Sequence, residues 1–219
     1  MTDRVKTKPR EPSRREIAAD GVVHAIGLLA AIAGVIVLIA MVALGSGLVE
    51  LVAASIYAAG LLAMLGFSAA YNLARKSGHR DLLRRFDQAV IFIMIAGTYT
   101  PITILGLEGA WEISLISFVW AVALLGFSLK VFLPQRLEFY SLPIYLALGW
   151  VGVVAAGPFI DALDPTVIVL LAIGGVLYTI GTVFHVWRRL HFQNAIWHGF
   201  VLIAASVHYG AVLDLVIAG

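Results

Sequence analysis

Asn194 and His198 stand four residues apart where the last long apolar run of the chain begins, a run that continues to Val216. On a helix that spacing stacks both side chains on one face. Amide and imidazole can each meet a metal ion or relay a proton, and polar groups inside hydrocarbon are costly and tend to be kept for a purpose. Other groups sit at comparable places. Ser68 and Asn72 repeat the spacing of four where an earlier run ends, and Asp87 opens the run after it. Glu16, Asp20 and His24 form a ladder of the same period entering the first run, and His191 lies on a cationic turn just before Asn194. Brought into one layer, these groups suit a hydrated cavity, a metal or a proton relay. Taken singly, Asn72 and Asp87 also suit a membrane interface, where water satisfies them, and an aspartate opening a helix suits a cap.

What must position them is a set of membrane helices. Of 219 residues, 61% are hydrophobic and 13% charged, about half the charge of an ordinary soluble domain. The apolar residues gather into seven runs, about 22–44, 50–74, 88–106, 112–133, 139–157, 166–187 and 194–217, each long enough to cross hydrocarbon as a helix. Turn chemistry separates them, as at Gly45-Ser46-Gly47, Gly157-Pro158 and Asp164-Pro165. The fold class expected is all-α, a seven-helix membrane bundle (21–219) behind a basic tail (1–20).

Charge placement supports the count. The chain's 15 Lys and Arg fall in the tail, between spans 2 and 3, at the turn between spans 4 and 5, and at the turn between spans 6 and 7. With seven spans all four places share one side, and the other side carries only acids, from Glu50 to Asp214. Positive residues mark the cytoplasmic side, so the N-terminus is expected inside and the C-terminus outside, in a bacterial inner membrane. Ser68, Asn72, Asp87, Asn194, His198 and the Glu16 ladder then share the cytoplasmic layer. The pI near 9.0 reflects this sorting and not nucleic-acid binding. Cysteine is absent, which excludes thiolate metal sites and disulfides.

Several strings carry a resemblance. They are Glu16, Asp20 and His24-Ala-Ile-Gly27; Ser68 with Tyr71; Arg85-Phe-Asp87; and Ile95-Ala-Gly-Thr-Tyr-Thr-Pro101. Further on come Tyr145 with Gly149-Trp150, Gly174-Gly-Val-Leu-Tyr178-Thr-Ile-Gly181, and Ala195-Ile-Trp-His198 with His208. In this order they resemble the hemolysin III group, related to the progestin and adipoQ receptors in a wider superfamily of membrane hydrolases. The resemblance implies a zinc site at the cytoplasmic end. Its ligands would be a histidine closing an S-x-x-x-H motif on the second span and an H-x-x-x-H pair on the seventh. A serine and an aspartate would contact or position the metal-bound water. The matching positions here are Ser68, Asn72, Asp87, Asn194 and His198, so two of three expected histidines are asparagine. Amide oxygen is a poor zinc donor, and weak or absent zinc binding is the expectation unless His24, Asp87 or His191 substitutes.

With metal present, the resemblance implies hydrolysis of a lipid amide or ester, with Asp87 as base and Ser68 as orienting group. Without it, the alternative is a non-catalytic protein that modulates membrane composition or fluidity. Membrane lipid is the expected substrate or ligand in either case. A retinal protein is excluded because the only lysine near a span is Lys130, at the inner end of the fourth. Transport would want acids near the midplane; none lies beside Pro101 or Gly174-Gly175. The five tryptophans read as interface anchors, and the small residues from Gly149 to Gly181 as close helix contacts.

Overall fold

The computed structural model describes residues 11–74 and 77–218. Most of the basic tail, with Arg75 and Lys76, lies outside the described residues. Among them the chain is helical, with no strand. The helices are α1 (Arg14–Gly45), α2 (Leu48–Leu73), α3 (Arg80–Gly106), α4 (Gly109–Phe132), α5 (Ser141–Trp150), α6 (Ala156–Ala162), α7 (Pro165–Val186) and α8 (Gln193–Ala218). The 3-10 turns Pro134–Leu137 and Val151–Ala155 complete them. Seven segments are long and apolar enough to cross a membrane; α5, the turn after it and α6 together make the fifth, Ser141–Ala162. The seven expected spans are therefore present, and α7 and α8 are the sixth and seventh.

Three spans differ from the expectation: α1 and α3 start well before their apolar edges, and the fifth is interrupted. α1 starts at Arg14, well before the apolar edge, because Ser13 and Glu16 close a capping box: the Glu16 N–H donates to Ser13 Oγ (3.3 Å) and the Ser13 N–H to Glu16 Oε2 (2.7 Å). Reciprocal capping lets polar residues extend a helix past its hydrophobic stretch. The fifth span is broken at its middle. The Tyr99 hydroxyl donates to the Gly149 carbonyl (2.8 Å) and accepts from the Gly152 N–H (2.7 Å), satisfying the backbone groups that the break leaves unmatched.

Packing cannot rest on hydrophobicity alone where the surroundings are equally apolar; close approach and hydrogen bonds must serve. α3 is the most buried span and packs against α2, α4, α5 and α8. A Cβ at Gly97 would stand 3.3 Å from the Ile56 carbonyl oxygen, so α2 and α3 approach backbone to backbone. α1 meets α8 where the Tyr209 ring lies over Gly34 and its hydroxyl donates to the Gly34 carbonyl (2.8 Å). Large apolar side chains such as Leu29, Leu44 and Phe132 face outward, as lipid-facing positions should. Trp120 and Trp150 do more than anchor. Their indole N–H groups donate to Thr100 Oγ1 (3.1 Å) and Thr179 Oγ1 (3.0 Å), tying α4 to α3 and α5 to α7.

Candidate metal centre

The buried face of α1 runs Glu16, Asp20, His24, Gly27, Ala31, Leu38, Val42. Its helical period is continuous, but its first three members are polar. They are 6%, 2% and 6% exposed, so each must find a polar counterpart inside the protein. Glu16 finds the turn that enters α8: the Phe192 N–H donates to Glu16 Oε1 (2.8 Å). Phe192 has φ 57°, a conformation that a bulky residue adopts only when its surroundings hold it. Glu16 thereby pins the start of α8 against the start of α1.

Six residues further on, His198 faces Asp20. Its Nδ1 lies 2.6 Å from Asp20 Oδ1. The His24 Nδ1 lies 2.8 Å from the Asp20 backbone oxygen and 3.6 Å from Oδ1, and the two imidazoles meet edge to face with centroids 4.3 Å apart. Both nearest partners are acceptors, so both rings carry their proton on Nδ1. Each Nε2 is then left with its lone pair. That of His24 lies 3.2 Å from Ser68 Oγ, and that of His198 makes no hydrogen bond among the described residues. Metal-binding histidines commonly hand their other ring N–H to a carboxylate or carbonyl, and the Asp20 backbone carbonyl takes that place for His24. Asp20, His24 and His198 each have a donor atom within 4.8 Å of the others, a group that could hold a metal ion. The donor chemistry fits: two imidazoles and a carboxylate are among the ligand sets of zinc sites with an open position.

A cavity of about 710 Å³ lies against this group. Ser68, Asn72, Asp87, Asn194 and His198 line it, together with Glu16 and His24. Ser68 is placed by α2 opposite His24, and the Asn72 side-chain N–H₂ turns back to the Ser68 carbonyl (2.9 Å). Asp87, on the second turn of α3, lines the same cavity. Of the substitutes considered, His24 joins the group; His191 is exposed on its turn and does not line the cavity. His208 sits deeper, its Nε2 3.2 Å from the Leu171 carbonyl oxygen, and His185 packs its ring against Trp197. Asp20 is the hub that sequence reading did not single out as a ligand. Its signal was the ladder of spacing four, which put it on the face of His24.

The comparisons follow this geometry. A family model described as Haemolysin-III related matches residues 15–209. The chain is 32% identical over 200 residues to the Hemolysin-3 homolog of Bacillus subtilis (strain 168), covering 91% of this chain and 93% of that protein. It is 36% identical over 131 residues to Hemolysin-3 of Bacillus cereus, 60% of each chain. To the human Monocyte to macrophage differentiation factor it is 35% identical over 130 residues, 58% of this chain and 52% of that one.

Proposed function

The chain belongs to the haemolysin-III-related family of multi-pass membrane proteins, and from that premise we propose that it is a metal-dependent hydrolase of a lipid amide or ester. The observation that carries this reading is the convergence of Asp20, His24 and His198 from the two ends of the chain, beside a cavity that Ser68 and Asp87 also line. In this reading the two histidines and Asp20 hold zinc, and Asn72 and Asn194 remain as weak amide donors on the cavity wall. A zinc ion bound there would lower the pKa of a water and polarise the scissile carbonyl. The chain's own residues do the rest. Asp87 takes the proton of the attacking water and returns it to the leaving group. Ser68 orients that water with its hydroxyl, and the Asp20 backbone carbonyl keeps His24 in the required tautomer. The apolar lining at Met64, Met94 and Val201 receives an acyl chain. The side of the bundle that holds the site faces the cytoplasm in this reading, on the strength of the cation sorting.

The purified protein, offered lipid amides and esters in mixed micelles, is expected to hydrolyse at least one class. Chelation should abolish turnover and zinc restore it. Asp87→Asn should cost about 10²–10⁴-fold in rate, the usual worth of a positioned base, with metal content unchanged. Turnover indifferent to both chelator and Asp87 would sink the proposal.

One contact favours a second reading. Ser68 Oγ, His24 Nε2, and Asp20 beyond His24 Nδ1 also have the order of a nucleophile, its base and the group that orients the base. A metal-free acyl transfer to Ser68 would be revealed by covalent labelling of Ser68 with a fluorophosphonate that survives chelation.

A further inference from the structure

A different part of the cavity wall, built from α3, α4 and α5, carries chemistry that hydrolysis of a neutral lipid does not use. Lys130 lies on the last turn of α4, is 2% exposed, and lines the cavity. Its Nζ donates to Gln88 Oε1 at 3.0 Å, a neutral acceptor. Among the described residues no carboxylate lies within 4 Å of it. An ammonium has three hydrogens to place, and one removed from water without a counter-charge is costly to keep. Glu138, the acid that acts on it electrostatically, stands on the exposed rim and is paired with Arg84 at 3.7 Å.

The surroundings are built for the same charge. α5 opens at Ser141 with no side-chain cap, so the N–H groups of Ser141 and Leu142, which precede Pro143, add partial positive charge, and both residues line the cavity as well. The segment of α3 that carries Gln88 is fixed from outside, because the Tyr145 hydroxyl donates to the Gln88 carbonyl (2.7 Å). Gln88 follows Asp87 directly, and both line the cavity. A ligand whose anionic group met Lys130 would share the cavity with Asp87, His24 and His198.

We propose that Lys130 and the start of α5 form an oxyanion seat, and that the ligand of this cavity is an anionic amphiphile whose phosphate or carboxylate occupies it. The inference deepens the hydrolase reading by naming the headgroup of its substrate, and takes from that reading only the direction in which the carbonyl lies. It concerns binding, so it stands or falls separately from turnover.

Equilibrium binding to the full chain in a neutral detergent tests it. The probes are lysophosphatidate, a fatty acid, the monoacylglycerol of the same chain length, and inorganic phosphate alone. The anionic amphiphiles are expected to bind about tenfold more tightly than monoacylglycerol, the scale of one charge-assisted hydrogen bond. Lys130→Met should bring the two within about twofold while metal content stays as in the wild type, and Lys130→Arg should keep most of the preference. Phosphate alone, bound in a way that Lys130→Met removes, would support the seat with a free ion as its source; failure of phosphate to bind assigns the source to the amphiphile. Equal binding of anionic and neutral amphiphiles by the wild type overturns the proposal without recourse to any variant. So does a preference that survives in Lys130→Met. A protein that shows the preference but no hydrolysis keeps the seat and loses the hydrolase reading; hydrolysis without the preference does the reverse.

Discussion

The two sides of the cavity are built on opposite principles. On the α1–α8 side each polar group is met by another of the same chain: Glu16 by the Phe192 N–H, His24 by the Asp20 carbonyl, His198 by the Asp20 carboxylate. On the α3–α4–α5 side Lys130 is buried with one neutral acceptor. The first arrangement is preorganised: rings and carboxylate are already oriented by their neighbours, which is what a metal site needs before the ion arrives. The second leaves a charge that a ligand completes. In the proposed reading, chemistry belongs to the first side and recognition to the second.

Breaking the first side at its hub should have the largest effect. Asp20→Ala removes the carboxylate that meets His198 and would bind the metal, while leaving the backbone carbonyl that His24 meets, and metal affinity should fall at least about 100-fold, the upper range for loss of an orienting group, as measured by competition with a chromophoric chelator. Lys130→Met should leave that affinity unchanged and abolish the roughly tenfold preference for anionic amphiphiles. Because it removes a buried charge without a counter-ion, it should also hold or raise the unfolding temperature in detergent; a clear fall would show that Lys130 is a structural donor to Gln88. Tyr99→Phe strands the Gly149 carbonyl and the Gly152 N–H, and should cost about 1–3 kcal/mol of stability while metal affinity stays put. The smallest change is Ser13→Ala, which opens the capping box of α1. A loss of about 1 kcal/mol is expected, with fraying that reaches Glu16 before it reaches Asp20, read by hydrogen exchange along the first turns.

Much of the fold was legible because it rests on the length of apolar runs, a local property: seven apolar runs became seven spans. The broken fifth span was not. Gly149 and Gly152 read as close helix contacts, whereas the break depends on a hydroxyl about 50 residues away, on Tyr99. The site divides the same way. Ser68, Asp87 and His198 could be placed in one layer by topology alone, and all line the cavity. That His24 lies against His198 could not be read from spacing, because α1 and α8 are paired by long-range contacts such as Glu16 with Phe192, 176 residues apart, and Gly34 with Tyr209, 175 apart. Lys130 read as an interfacial lysine; only the packing of α3, α4 and α5 around it shows that it is buried.

The central claim is that Asp20, His24 and His198 hold a metal ion, and elemental analysis of the purified chain tests it most directly. About one zinc per chain is expected in the wild type. His24→Ala and His198→Ala should each reduce it to background, and His191→Ala should leave it intact. Wild-type protein that stays metal-free after equilibration with zinc, or His24→Ala protein that keeps its full complement, would contradict the account.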